Sequence, residues 1–82
     1  MYYVYILKCA DQSLYVGCTN NLEKRVKEHN SNSQKGAKYT RAKKPVALTY
    51  SEKFPDRSAA MRREIEVKKW PKAKKEALIK NR

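Results

Sequence analysis

The residues of this chain that could do chemistry begin with two tyrosines, an arginine and a histidine in its N-terminal part. Tyr5 and Tyr15 each lie in a short run of aromatic and β-branched residues, and Arg25 and His29 follow one helical turn apart. A phenol, a guanidinium and an imidazole can hold anionic oxygens and move protons. If the fold brings these groups together, they form a functional site.

Glu64 is the carboxylate whose position is most informative. On a helix with 100° per residue, it falls within the apolar arc made by Ala60, Met61, Ile65 and Val67. Glu66 falls among arginines and lysines, so we expect it to be solvated and paired. A carboxylate aimed at the protein body must be paired, protonated or bound to metal. An ion pair with Arg25 or a lysine is one interpretation, and a metal-binding or catalytic role is favoured because a site exists for Glu64 to face.

The patterns around these residues predict the element order β-β-α-β-α-α. Strands are expected over residues 2–9, 14–18 and 46–53, with helices after Thr19, after Asp56 or Ser58, and over residues 72–80. Both faces of the first strand are apolar, which predicts a central place in a small sheet. Asn20 followed by Glu23 matches a capping box for the first helix.

The two tyrosines share a face only if the first hairpin has an odd-length loop or a bulge. A two-residue loop would put Tyr5 and Tyr15 on opposite faces of the sheet. A three-residue loop, residues 10–12, pairs Tyr5 with Gly17 and puts both tyrosines on one face. We expect this longer loop, in which Gln12 is mildly strained if the turn requires a positive φ.

Length and charge narrow the class of protein. The chain has 82 residues, with 20 Lys and Arg against 8 Asp and Glu, and a net charge of +12. We expect one domain over residues 1–82 and an anionic partner, with nucleic acid favoured over an acidic membrane because aromatic and amide side chains are interleaved with the charge. No apolar run reaches the roughly 20 residues of a membrane span, and no signal peptide is visible, so a cytoplasmic protein is expected. Cys9 and Cys18 lack the spacing of a zinc site and are predicted to be core thiols.

A basic segment, residues 34–44, is the predicted nucleic-acid contact. Its candidate binding residues are Lys35, Lys38, Tyr39, Arg41, Lys43 and Lys44. Lysines with an interleaved aromatic suit phosphate contacts together with base or sugar stacking. The alternative is a solvated loop, which is the better interpretation for any single lysine.

Several segments, taken in order, resemble a known family. They are YVYILKC at residues 3–9, YVG at 15–17, the helix with Arg25 and His29, GAKYTR at 36–41 and RRE at 62–64. Together they resemble the GIY-YIG endonuclease domain, and most closely its small stand-alone bacterial members. The resemblance implies an α+β fold, with a three-stranded, mainly antiparallel sheet flanked by helices, and hydrolysis of phosphodiester bonds with one divalent metal ion.

The resemblance also assigns roles to individual residues. Tyr5 and Tyr15 match the tyrosines of the two name-giving tripeptides, and Gly17 matches the closing glycine. Arg25 matches the helix arginine, and His29 matches the residue one turn later. Glu64 matches the metal-binding glutamate.

The implied chemistry fits these residue types. Glu64 would hold Mg²⁺ or Mn²⁺, and Arg25 would hold phosphate oxygens. Tyr5 is the candidate general base if nearby cations lower its pKa, Tyr15 would orient water or phosphate, and His29 would assist either tyrosine. Lys38 is a further candidate for phosphate contact.

Two functions of different classes therefore stand side by side. The first is a metal-dependent endonuclease acting on DNA, structure- or damage-directed and connected with repair. The second is a basic nucleic-acid-binding module that keeps the fold with little or no catalysis. A partner-dependent subunit of a larger nuclease is a third hypothesis. Since the sequence shows no separate DNA-targeting domain, a protein partner that supplies specificity is also expected.

Overall fold

A computed structural model describes residues 1–30 and 45–80 of the protein. Within these residues the elements are β1 (Tyr2–Lys8), β2 (Leu14–Thr19), α1 (Leu22–Asn30), β3 (Ala47–Phe54), α2 (Arg57–Lys68) and α3 (Lys72–Lys80). The order β-β-α-β-α-α is as predicted, and the predicted bounds are correct to within two residues. No helix in the described part of the chain is long and apolar enough to cross a membrane.

The sheet is antiparallel, with strand order β2-β1-β3, so the predicted central position of β1 is confirmed. Along the β1–β2 pair, Tyr5 lies opposite Gly17 and Leu7 lies opposite Tyr15. This is the register that the three-residue loop predicts, and it puts both tyrosines on the same face.

The turn of the first hairpin explains this register. The Cys9 amide donates to the Ser13 carbonyl, and the Gln12 amide donates back to the Cys9 carbonyl. Gln12 adopts a φ of 72°, in the left-handed region. A type I turn followed by one left-handed residue is the usual form of a three-residue hairpin loop. The strain predicted at Gln12 is therefore present.

Each face of the sheet is covered by its own hydrophobic cluster, since successive side chains of β1 point to opposite faces. On one face, Tyr5, Leu7, Cys9 and Val46 pack with Leu22 and Val26 of α1. On the other, Val4, Ile6, Val16 and Tyr50 pack with Ala60 and Val67 of α2 and with Leu78 and Ile79 of α3. The first strand is thus buried between α1 on one side and α2 with α3 on the other.

The ends of the helices are fixed by side-chain hydrogen bonds. Asn21, and not the predicted Asn20, caps α1, because its side-chain oxygen accepts from the Lys24 amide. The predicted capping box with Glu23 is therefore wrong by one residue. Asp56 caps α2 as predicted, accepting from the Ala59 amide.

Asn30, the last residue of α1, ties that helix to the start of β3. Its side-chain amide donates to the Val46 carbonyl, and its side-chain oxygen accepts from the Val46 amide at 2.7 Å. Such a paired contact mimics a strand ladder and holds the end of α1 against the sheet.

The left-handed backbone at Gln12 predicts a stabilising substitution. Gln12→Gly removes the steric conflict of a Cβ at positive φ and should raise the unfolding free energy by about 0.5–1 kcal/mol. For a chain of this size the melting temperature should rise by roughly 2–6 °C. Gln12→Ala keeps the Cβ and serves as the control. Equal melting temperatures for the glycine and alanine variants would show that the turn is not strained.

Candidate active site

Tyr5 lies at the centre of the candidate site. It is 1% exposed, and its hydroxyl forms a 3.0 Å hydrogen bond with Nε2 of His29, which is fully buried. The Tyr15 ring completes the cluster, with its centroid 6.5 Å from that of Tyr5 and 5.2 Å from that of His29. Three of the predicted site residues, from β1, β2 and α1, are therefore in mutual contact.

Gly17 makes room for Tyr5 across the hairpin. A Cβ added at Gly17 would collide with the hydroxyl oxygen and the adjoining ring carbon of Tyr5. The backbone of Gly17 is not in the left-handed region. Glycine is required here for space, since the phenol lies directly over the backbone of β2.

Arg25 joins this cluster from α1, one turn before His29. Its positive charge acts on Tyr5, whose pKa it lowers, and its Nη1 donates to Glu28 Oε1 at 3.1 Å. The Tyr5–His29 hydrogen bond can run in either direction, according to the tautomer of His29. Glu28, which holds the guanidinium, was missed from the sequence, although its i,i+3 spacing from Arg25 is a recognisable signal.

Burial sets the protonation state of the pair. It raises the pKa of Tyr5 to about 12, against the hydrogen bond and charge of Arg25, which lower it. Burial also lowers the pKa of His29 to about 4, and the positive charge of Arg25 acts in the same direction. At neutral pH the pair is therefore a neutral phenol hydrogen-bonded to a neutral imidazole.

Glu64 lies at the flank of α2. Its side chain is 18% exposed, and its carboxylate lies 3.4 Å from Lys68 Nζ, one turn later. The predicted apolar arc was wrong in part, because Met61 and Ile65 are 40% and 51% exposed. The buried face of α2 is centred on other residues, Ala60 and Val67, and ends at Glu64.

The charge of Glu64 acts on the tyrosine cluster. It contributes to the raised pKa of Tyr5 and to that of Cys18. Tyr5 belongs to the face covered by α1, whereas Glu64 belongs to the helix on the opposite face. The phenol and the carboxylate therefore lie on opposite faces of the sheet and are linked by this charge effect.

Residues next to Glu64 hold that stretch of α2 in place. Arg63 donates from Nε and Nη2 to the two carboxylate oxygens of Glu52 on β3, at 2.9 and 3.1 Å. It also lies 5.0 Å from the centre of the Trp70 ring and pairs with Glu66. The predicted solvated, paired state of Glu66 is confirmed, and the two-pronged contact with Glu52 orients the turn that carries Glu64.

A cavity of about 180 Å³ opens beside Glu64. Its lining residues are Tyr2, Cys18, Thr19, Arg57, Met61 and Glu64. The prediction of core thiols holds for Cys9, which is 3% exposed, but Cys18 is only partly buried and forms part of this wall. The cavity therefore offers a carboxylate, a guanidinium, a hydroxyl and a thiol to a ligand.

The donor set suits a hard divalent cation that keeps much of its water. The described residues contain no group of three or more His, Cys, Asp or Glu side chains that could enclose a metal ion. Mg²⁺ usually takes only one or two carboxylates and completes its shell with water and phosphate oxygens. A single partly buried carboxylate at the edge of a cavity fits that requirement.

The candidate residues of the basic segment cannot be placed on this site. They lie outside the described residues and are Lys35, Lys38, Tyr39, Arg41, Lys43 and Lys44. Of the other candidates, Tyr5, Tyr15, Gly17 and His29 form one cluster, Arg25 acts on it from α1, and Glu64 lies on α2 beside a cavity that none of these residues lines.

Comparison with known proteins identifies the family of the chain. The family model for the GIY-YIG catalytic domain matches residues 1–77. A UPF0213 protein of Natronomonas pharaonis is 53% identical over 95% of this chain and 89% of its own length. A UPF0213 protein of Staphylococcus haemolyticus is 49% identical over 99% of this chain and 96% of its own length.

Solved structures show the same fold. The solution NMR structure of a UPF0213 protein from Bacillus halodurans superposes with a TM-score of 0.63 at 46% identity, covering 100% of this chain and 86% of that one. A second NMR structure, of a protein from E. faecalis, gives 0.64 at 44% identity, covering 98% and 83%. On the match over residues 1–77, the chain belongs to the GIY-YIG family.

Proposed function

We propose that the protein is a metal-dependent endonuclease that hydrolyses phosphodiester bonds of DNA. The observation that carries the proposal is the hydrogen bond between Tyr5 and His29, together with the charges that surround it. The charges of Arg25 and Glu64 both act on the Tyr5 hydroxyl. A phenol, an imidazole and a guanidinium beside one carboxylate are the groups that an attack of water on a phosphodiester needs. A net charge of +12 favours a polyanionic substrate.

The Tyr5–His29 pair supplies the proton acceptor. As water attacks phosphorus, its proton passes to the Tyr5 oxygen while the Tyr5 proton passes to Nε2 of His29. This relay uses the His29 tautomer with an unprotonated Nε2 and avoids forming a free phenolate, which a pKa of about 12 disfavours. It forms an imidazolium instead, which a pKa of about 4 disfavours at rest, so the negative charge of the bound phosphate is needed to offset the charge of Arg25. The charge of Arg25 favours negative charge on the Tyr5 oxygen during the transfer.

The phosphate itself is held by positive groups. Arg25 is 27% exposed at its side chain, so its guanidinium can reach a substrate oxygen while Glu28 steadies it. Tyr15 lies beside the pair and orients water or phosphate. Mg²⁺ or Mn²⁺ bound at Glu64 would act as a Lewis acid on the phosphate and leaving oxygens.

We propose structure- or damage-directed cutting in DNA repair as the setting. The groups proposed here contact the phosphodiester backbone, which positions a nucleic acid and carries no sequence information directly. A protein partner that supplies specificity, and a cytoplasmic location, are parts of the same proposal.

Removing the Glu64 carboxylate tests the nuclease directly. Glu64→Gln should lower cleavage of labelled single-stranded, nicked, flapped and branched DNA by at least about a hundredfold in Mg²⁺ or Mn²⁺. Glu66→Gln is the matched control, because it removes the same charge from the exposed side of α2. It should cut like the wild type, and EDTA should stop all cutting.

One outcome of this experiment would contradict the nuclease proposal. If every protein binds the DNAs but none cuts in any metal, and if Glu64→Gln binds as well as wild type, the protein is a basic binding module. Such binding would weaken linearly on a logarithmic scale as salt rises.

Gly17 provides a second test that leaves every polar group in place. Gly17→Ala should displace the Tyr5 hydroxyl from His29, lowering the rate of cleavage about a hundredfold and stability by about 1–3 kcal/mol. Leu14→Ala, in the same strand, is the destabilised control and should keep its cutting rate below its melting temperature. Normal cleavage by Gly17→Ala would show that the placement of Tyr5 does not matter.

The neutral state of His29 predicts an acid-labile fold. Below pH 6.5 the unfolded chain protonates this imidazole, while the native state resists until about pH 4. Stability contributed by the neutral imidazole is therefore present above pH 6.5 and is lost as pH falls from 6.5 to 4, by about 2–3 kcal/mol. Denaturant unfolding at pH 7 and pH 4 should show this loss in wild type and less of it in His29→Gln. Since the chain has one histidine, equal losses in both proteins would contradict the buried neutral state.

A further inference from the structure

Arg57 and Glu64 lie on the same face of α2 and line the same cavity. They are seven residues apart, which is two helical turns, or about 10 Å along the axis. The proposed metal position and the guanidinium are therefore at two ends of one recess. Nothing in the proposed cleavage chemistry uses Arg57.

The charge of Arg57 is directed into this recess. Burial and the carboxylate of Glu64 raise the pKa of Cys18, and the positive charge of Arg57 acts against them. The thiol thus lies within reach of both charges. Among the described residues, no carboxylate forms an ion pair with Arg57. Its guanidinium can therefore accept an anion from outside without first giving up a partner.

The remaining wall of the cavity is of mixed character. Tyr2 contributes an aromatic surface, Met61 a side chain that is 40% exposed, and Thr19 a hydroxyl. A nucleotide presents the complementary set, with a charged phosphate, hydrogen-bonding sugar oxygens and an apolar ring face. Stacking on an aromatic side chain is tolerant of base identity.

We propose that this cavity seats the nucleotide next to the cleaved bond and that Arg57 binds the phosphate of that nucleotide. The proposal rests on the nuclease function above, and it names the subsite that aligns the strand. A guanidinium suits the task because it can contact two phosphate oxygens at once. Arg57 is then a positioning residue, which acts on the strand beside the reacting phosphate.

The matched variants are Arg57→Gln and Arg62→Gln. Both remove one positive charge from an exposed position of the same helix, but Arg62 does not line the cavity. The probe is a nicked DNA hairpin, made as a series in which one neutral methylphosphonate replaces each phosphate near the cut in turn. Melting temperatures confirm that both variants fold.

One methylphosphonate position in the series should distinguish Arg57→Gln from wild type and Arg62→Gln. Wild type and Arg62→Gln should lose roughly tenfold in kcat/KM when the phosphate next to the cut is neutral. Arg57→Gln should already be about tenfold lower on unmodified DNA and should lose little more at that position. A loss of equal size in all three proteins would overturn the assignment while leaving the nuclease intact.

Measurements of DNA binding distinguish a failure of the nuclease proposal from a failure of the phosphate-subsite proposal. The same hairpins are titrated by fluorescence anisotropy in EDTA, where no cutting occurs. If no protein cuts in any metal but only Arg57→Gln becomes insensitive to one methylphosphonate, the nuclease fails and the phosphate subsite stands. If the affinities of Arg57→Gln and Arg62→Gln stay equal across the series, the subsite is wrong.

Discussion

The close approach of the Tyr5 ring to the backbone of Gly17 is the constraint on which the site depends. It follows from a cross-strand pairing that only the three-residue loop allows, and that loop holds Gln12 at a φ of 72°. Because position 17 has no side chain, the phenol can lie against the backbone of β2. The charge of Glu64, whose helix packs on the opposite face of the sheet, contributes to the raised pKa of this hydroxyl.

The second requirement is that a strongly basic protein keeps the centre of its site neutral. Burial opposes both a phenolate at Tyr5 and an imidazolium at His29, so the proton shared by the two side chains stays on the phenol at rest. A buried polar pair is acceptable because each member has a hydrogen-bond partner. Arg25 remains charged at the rim, with Glu28 to steady it. In the proposed reaction this arrangement would separate proton transfer, in the buried interior, from anion binding at the surface.

Features that depend on local periodicity were predicted from the sequence. Features that depend on where a helix or strand ends were missed. The shared face of Tyr5 and Tyr15 follows from strand alternation and loop length, and both can be worked out by hand. The wheel for α2 was wrong at Met61 and Ile65, which are exposed, because hydrophobicity alone does not show which side of a helix packs against the sheet. Either Asn20 or Asn21 could cap α1, and only the tertiary structure selects Asn21. For the same reason, the chain alone left Arg57 as one basic residue among 20.

The charge distribution also explains why one carboxylate can be enough. Glu64 is paired with Lys68 in a protein of net charge +12, which makes a weak site for a divalent cation by itself. Phosphate oxygens would supply further negative charge if a strand occupied the cavity as proposed, and magnesium commonly shares its shell with such oxygens. Arg25 and Arg57 would then hold the strand from two sides while its phosphate completes the cation site. On this view substrate and metal bind cooperatively, and the low number of carboxylates suits a site that is completed by its own substrate.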